Sequence, residues 1–86
     1  MSQPSPNPGD RVIVKRADGL YNVMKVDNSS VRYKGGQPSV VTWQGSVLLC
    51  DLESLDEART IARGSLPTGG RLWVCDHSTR DHLEPF

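Results

Sequence analysis

The sequence predicts an α+β fold with two layers, in which one helix packs on one face of a small, mainly antiparallel sheet. Three observations support this prediction. An Asp-Gly pair at 18–19 separates two runs of alternating residues and indicates a β-hairpin. A capping sequence at 54–57 opens a stretch with helical periodicity. Strand-like runs at 47–51 and 71–76 flank that helix, which gives the order ββ…βαβ.

The composition limits the size and the charge of the protein. The 86 residues include ten basic and ten acidic side chains, and 36% of the residues are hydrophobic. A chain of this length forms one small domain with a modest core, which excludes a doubly wound enzyme or a large barrel. The balanced charge argues against binding of nucleic acid through bulk positive charge.

The two ends of the chain are expected to lie outside the folded domain. Residues 1–9 contain three of the six prolines and predict a disordered, extended arm. We expect a single α+β domain over 10–77, followed by a polar tail over 78–86 that frays. The N-terminal residues lack the pattern of a secretion signal, so we expect a cytoplasmic protein with buried, reduced thiols at Cys50 and Cys75.

The first two strands, 11–17 and 20–26, flank the Asp-Gly pair. A two-residue type I′ turn at this pair would place Val14 opposite Val23. A loop one residue longer would exchange the two faces of one strand. With the two-residue turn, the expected core face carries Val12, Val14, Tyr21 and Val23, and the other face carries Arg11, Ile13, Lys15, Asn22 and Met24.

Two readings remain open for residues 27–46. Short strand-like runs at 31–33 and 40–43 surround a Gly-Gly-Gln-Pro segment, and they predict either a second hairpin or a long loop. The apolar run at 47–51 predicts a short buried strand.

The helix has clear signals at both ends. The Ser54 hydroxyl can accept a hydrogen bond from the Glu57 amide, and Gly64 and Pro67 mark the C-terminal end. One face of the helix is apolar and carries Leu55, Ala58, Ile61 and Ala62.

The last strand alternates. Leu72 and Val74 point to one side, and Trp73, Cys75 and His77 point to the other. One helix covers one face of a sheet, so we expect the second face to stay open unless a partner or the 27–46 segment covers it.

Several short segments resemble small bacterial domains of unknown function of the DUF2188 type. The matching stretches are Val12–Val14, Asp18–Gly19, Ser54–Ala58, Ile61–Arg63 and Leu72–Val74. The resemblance implies a strand, a glycine turn, a second strand, a capped helix and a last strand, and it implies no established activity. The glycine expected after the last strand is replaced here by the sequence Asp-His-Ser-Thr-Arg.

No catalytic, metal or cofactor site is predicted. The residues able to bind a metal are Cys50, Cys75, His77 and His82, but they lack the close ligand pairs typical of zinc sites. Cys75 and His77 are two residues apart on a strand, about 6.5–7 Å, which is too far for a nucleophile and its base.

The expected function is that of a small non-catalytic interaction or dimerisation module that binds a protein partner or a second copy through the uncovered sheet face. We expect no membrane contact. The candidate partner-binding residues are Arg11, Ile13, Lys15, Met24, Lys25 and Trp73.

The alternative is binding of single-stranded nucleic acid by the basic N-terminal hairpin and exposed aromatic residues. Residues 1–36 contain six basic and three acidic side chains, a net charge of +3, whereas residues 37–86 contain four basic and seven acidic side chains, a net charge of −3. The neutral total therefore conceals a basic half and an acidic half.

Overall fold

The computed structural model describes residues 6–79 and 83–86, without the side chains of 31–34, 37–41 and 79. It is a small α+β fold with one helix and five strands. The elements in chain order are β1 Arg11–Lys15, β2 Tyr21–Lys34, β3 Gln37–Leu52, α1 Leu55–Ser65, β4 Leu72–Asp76, a 3-10 turn His77–Thr79, and β5 Glu84–Pro85.

The strands form one sheet in the order β3-β2-β1-β4-β5. β1 pairs with β2 in antiparallel fashion but with β4 in parallel. The sheet is therefore mixed, and the prediction of a mainly antiparallel sheet is wrong in this respect. The cause is the connection through α1. A helix between β3 and β4 returns the chain to the same end of the sheet, so β4 runs in the same direction as β3 and therefore as β1.

The loop of the first hairpin has three residues, Ala17–Gly19, rather than two. The Arg16 amide donates to the Leu20 carbonyl at 2.7 Å, and the Gly19 amide donates to the Arg16 carbonyl at 3.1 Å. Gly19 has a φ of 87°. This positive φ closes a type I turn followed by a left-handed residue, the usual form of a three-residue hairpin loop.

The longer loop shifts the register of the hairpin by one residue. Ile13 pairs with Val23, and Val12 pairs with Met24. The predicted pairing of Val14 with Val23 is therefore wrong, and each predicted face combines residues that lie on opposite sides of the sheet.

Residues 27–46 form a second hairpin rather than a long loop. β2 and β3 continue to a tight turn at Gly35–Gly36, where both glycines have positive φ, 61° and 80°. Lys34 pairs with Gln37 across this turn. Two consecutive left-handed residues are what a two-residue type I′ turn requires.

The α1 side of the sheet holds one buried cluster. The Ser54 hydroxyl accepts from the Glu57 amide at 3.1 Å, as the capping sequence predicts. Gly64 lies inside the helix rather than after it, because the helix ends at Ser65. Ala58 and Ala62 are fully buried, in a cluster that also contains Ile13, Val23, Leu52 and Leu72.

The opposite side of the sheet holds a second buried cluster, so this face is not open. Its members are Val12, Val14, Met24, Val26, Trp43, Trp73, Cys75 and Leu83. Trp43 comes from the second hairpin and Leu83 from the C-terminal segment. Of the alternatives left open for this face, the structure shows cover by the chain itself, including Trp43 of the 27–46 segment.

The N-terminal segment contributes to this cover. Pro6 is fully buried, and its carbonyl accepts from the Ser29 hydroxyl at 2.5 Å. The Gly9 amide donates to the Val26 carbonyl at 2.9 Å. Residues 6–9 of the expected arm thus lie against the sheet, and residues 1–5 lie outside the described residues.

Asp10 fastens this segment to β4. It is only 3% exposed. Its carboxylate accepts from the Trp73 indole nitrogen at 2.9 Å, from the Arg71 amide at 3.0 Å and from the Asn7 amide at 2.9 Å. Three donors compensate for removing the carboxylate from water.

The C-terminal segment also returns to the sheet. Leu83 is buried, and the Phe86 amide donates to the Leu72 carbonyl at 3.0 Å. The Arg59 guanidinium lies 5.5 Å from the centre of the Phe86 ring. Of the expected tail over 78–86, residues 80–82 lie outside the described residues.

Candidate interaction site at the β3 edge

Three consecutive apolar side chains are exposed near the end of β3. We call Val47, Leu48 and Leu49 the apolar segment. They are 52%, 45% and 43% exposed, and they are the large hydrophobic side chains that are exposed in the described part of the chain. The strand predicted at 47–51 is present as part of β3, but the prediction that it is buried is wrong.

The exposure follows from the position of β3 and from its irregular pairing. β3 is the first strand of the sheet and pairs on one side with β2. Val47 pairs with Met24 and Leu49 with Val23, so Leu48 is an extra residue on β3. Such a bulge interrupts the alternation of side chains. Neighbouring side chains therefore do not divide strictly between a buried face and an exposed face.

A second irregularity follows immediately. Cys50 and Asp51 together face one residue of β2, because the next pair joins Leu52 to Tyr21. Asp51 has a φ of 61°, in the left-handed region that non-glycine residues rarely adopt. The first distortion lies within the apolar segment, at Leu48, and the second follows directly after Leu49.

The absence of charge along β3 is the most unusual feature of this edge. The sequence contains no Asp, Glu, Lys or Arg from Gly35 to Cys50, a run that covers nearly all of β3. Natural sheets usually protect an edge strand with charged residues, especially lysine. This edge relies on bulges and on Pro38 instead.

Charged groups begin directly after the run. The Arg16 guanidinium forms ion pairs with Asp51 and with Asp18, the second at 2.7 Å. The hydrogen bond from Arg16 holds the pKa of Asp51 below its usual value. This pair joins the first hairpin loop to the end of β3 and anchors the bulged region.

The other flank of the apolar segment is held by close packing and by a polar contact. The Ser46 hydroxyl donates to the Asp27 carboxylate at 2.7 Å. A side chain at Gly45 would collide with the Lys25 carbonyl oxygen. Gly45 therefore allows a close approach of β3 to β2 just before the apolar segment.

The two cysteines differ in exposure. Cys75 is buried, whereas Cys50 is exposed at the end of the apolar segment. The expectation of two buried thiols is therefore wrong for Cys50.

The opposite edge of the sheet has a different character. β5 is two residues long and consists of Glu84 and Pro85, both exposed. A short strand with a charge and a proline offers little to a further strand. Of the two edges, β3 is the longer and carries the exposed apolar side chains.

The sequence-predicted site residues do not form one surface. Ile13, Met24 and Trp73 are buried, with exposures of 0%, 9% and 1%. Ile13 lies in the cluster on the α1 side, and the other two lie in the opposite cluster. The predicted patch depended on the wrong register, so its apolar members lie in the core.

The three basic members of the prediction lie near the surface. Lys15 and Lys25 are exposed. The Arg11 side chain donates to the Ser65 carbonyl at 2.7 Å and to the Gly9 carbonyl at 2.6 Å. Arg11 thus joins the end of α1 to the N-terminal segment.

The tryptophans do not offer surfaces for base stacking. Trp43 and Trp73 are both buried, and the indole nitrogen of Trp73 donates to Asp10. The stacking on exposed tryptophans that the nucleic-acid alternative requires has no support in their placement.

Within 6–79 and 83–86, no group of three or more His, Cys, Asp and Glu side chains is placed to hold a metal ion. His82 lies outside this part of the chain. Among the same residues, no helix has the length and apolar character needed to cross a membrane.

Comparisons with protein families, with curated proteins and with solved structures gave no match to this chain. The resemblance to DUF2188-type domains therefore stays a prediction from the sequence.

Proposed function

We propose that the protein is a small, non-catalytic module that self-associates, with the β3 edge of one copy packing against the β3 edge of a second copy. The apolar segment lies at the centre of this contact. The proposal keeps the class of function expected from the sequence and moves the contact from the sheet face to the sheet edge.

The observation that carries the proposal is the apolar segment itself. Three consecutive residues between 43% and 52% exposed present apolar surface on the strand at one edge of the sheet. Burial of such surface is favourable by roughly 25 cal/mol per Å². Contiguous exposed apolar surface is typical of association sites.

A second copy fits this edge because the edge is uncharged. In a two-fold contact, the same strand meets itself in the opposite direction. With the two-fold axis at Leu48, the stretch from Ser46 to Cys50 would face the same stretch of the second copy, and Asp51 would face Gly45, so no like charges would be opposed.

The bulges determine what kind of contact this is. They interrupt β3 at Leu48 and at Cys50–Asp51, which limits a continuous hydrogen-bonded ladder between two copies. Side-chain packing of the apolar segment therefore supplies much of the contact, with short stretches of backbone pairing beside it.

The other edge limits the assembly to two copies. Once the β3 edges are paired, the edge left on each copy is β5, with Glu84 and Pro85. That edge resists strand addition, so pairing closes at a dimer and does not continue into a fibre.

The test is sedimentation velocity of the full chain over a concentration series. We expect the wild type to shift from monomer to dimer, and we expect Leu48→Lys to remain a monomer because a buried ammonium would face an apolar surface. The matched control is Thr68→Lys, an exposed position in the loop before β4.

Both variants must keep the wild-type circular dichroism spectrum. A wild type that stays monomeric at millimolar concentration contradicts the proposal. Equal dimerisation of Leu48→Lys and wild type would place the contact elsewhere and would also contradict it.

A further inference from the structure

A cleft of about 400 Å³ opens at the carboxyl ends of β1 and β4. This is within the usual size range of small-molecule sites. It is a different place from the β3 edge, since β1 and β4 lie in the interior of the sheet order. The lining residues used below are Lys15, Tyr21, Leu55, Val74, Asp76 and Glu84.

Strand register brings three of these side chains into one row. Lys15 pairs with Tyr21 on β2 and with Asp76 on β4. Directly paired residues on neighbouring strands place their side chains about 5 Å apart. The row therefore presents a phenol, an ammonium and a carboxylate next to one another.

Asp76 is held as a carboxylate through contacts at one of its two oxygens. Its Oδ1 accepts from the Ser78 amide at 3.1 Å and from the Ser78 hydroxyl at 3.0 Å, and it lies 2.9 Å from His77 Nδ1. The Ser78 bonds hold the pKa of Asp76 below its usual value. None of these contacts uses Oδ2.

Lys15 lies beside Asp76, and the positive charge of Lys15 helps to lower the pKa of that carboxyl. The lysine side chain is exposed, and within the part of the chain that the structure describes the ion pairs involve Arg16, Arg59 and His77 rather than Lys15. Its ammonium is therefore available to a ligand's anionic group.

The remaining walls are mainly apolar. Leu55, at the first turn of α1, and Val74 are partly buried against the α1-side cluster, as is Tyr21. Glu84 pairs with Val74 across β4 and β5 and adds a second carboxylate. The cleft thus joins an apolar floor to charges of both signs.

We propose that this cleft binds a small zwitterion with an apolar body, of the α-amino acid class. The ligand's carboxylate would meet Lys15, its ammonium would meet Asp76 and Glu84, and its side chain would lie on Leu55 and Val74. Two carboxylates disfavour phosphates and other simple anions, and the ammonium of Lys15 disfavours a bare metal ion.

The probe for the test is L-leucine, added to the ¹⁵N-labelled full chain while amide shifts are followed. We expect saturable shifts at Lys15, Tyr21 and Asp76, with a Kd of about millimolar size. Two half-ligands serve as comparators: 4-methylpentanoate has no ammonium, and 3-methylbutylamine has no carboxylate. Each is expected to bind about ten-fold more weakly than leucine.

A matched pair of variants tests the role of the cation. Lys15→Met should weaken leucine binding about ten-fold, and Lys25→Met, an exposed lysine outside the cleft, should leave it unchanged. The experiment is repeated in Leu48→Lys, where binding should persist, because this cleft does not depend on self-association.

Three results would overturn the proposal. They are the absence of saturable shifts with leucine, amine binding as tight as leucine binding, and equal effects of Lys15→Met and Lys25→Met. A wild-type amide spectrum in each variant excludes loss of folding as the cause.

Discussion

Apolar side chains are buried on the covered face of the sheet and exposed at the end of β3. In the Trp73 cluster, no apolar member is more than 9% exposed, whereas the apolar segment is exposed by 43% or more. The covered face receives Pro6, Trp43 and Leu83 from three parts of the chain outside the central strands. Distant parts of the chain therefore bury apolar side chains on one face, whereas the described residues do not cover Val47–Leu49.

The largest expected effect on stability comes from removing Asp10, which holds the N-terminal segment against the covered face of the sheet. In Asp10→Ala the donors of Trp73, Arg71 and Asn7 lose their buried acceptor, and we expect the free energy of unfolding to fall by about 3 kcal/mol. Urea denaturation measures this change.

Asp27→Ala provides the matched control, because Asp27 is an exposed aspartate that accepts one hydroxyl. Its cost should be within about 0.5 kcal/mol. Equal losses in the two variants would show that Asp10 does not fasten the cover.

The next effect concerns the junction between the covered part of β3 and its exposed end. In Gly45→Ala the new methyl group would meet the Lys25 carbonyl oxygen and the Trp43 ring. We expect a loss of about 2 kcal/mol, since relief requires a shift of β3 against β2. Gly64→Ala is the control, because a methyl group there meets open space in α1. That variant should be neutral or slightly more stable, and similar losses at both sites would contradict the close approach.

The same valine-to-alanine substitution in each region compares the two contributions to the free energy of unfolding. Val26→Ala removes buried methyl groups and should cost about 1.5 kcal/mol, whereas Val47→Ala should cost less than about 0.5 kcal/mol. Both are measured by urea denaturation at a concentration where the wild type is monomeric. A cost at Val47 equal to that at Val26 would mean that the exposed end contributes to the monomer's core.

The smallest expected effect is a pH dependence at the exposed end. Because Arg16 lowers the pKa of Asp51 in the folded chain, this pair stabilises the fold above the unfolded pKa of about 3.9. The stabilisation is lost as the pH falls through the lower, folded value. Carboxyl ¹³C titration should give an Asp51 pKa below the unfolded value, and Arg16→Gln should raise the pKa of Asp51. An Asp51 midpoint that does not respond to Arg16→Gln would contradict the ion pair.

Local signals were sufficient for some elements. The Ser54–Glu57 cap predicted where α1 begins, and the alternation of Leu72 to Cys75 predicted which β4 side chains share a face. These features depend on residues close together in the chain. The turn was also located correctly at Asp18–Gly19, but its length was not, because Ala17 joins the loop and no local signal distinguishes the two lengths.

The remaining errors came from interactions between distant residues. The parallel pairing of β1 with β4 depends on the path through α1, and the cover depends on Asp10 contacting Trp73 across 63 positions. The exposure of Val47–Leu49 results from bulges and from the strand order, while apolar content alone indicated burial. The uncharged run from Gly35 to Cys50 was the signal in the sequence that could have identified an unusual edge.

The parallel partner of β1 also affects the order in which the chain can fold. Arg11 pairs with Leu72, so one side of β1 has no ladder partner until β4 has been synthesised. A nascent chain that ends before residue 72 therefore carries two unpaired strand edges, β3 and β1, both adjoining apolar side chains. Contacts this distant in sequence slow folding and prolong the lifetime of such edges. We expect the chain to be most prone to aggregation during synthesis, and chaperones that bind extended apolar segments would act in that interval.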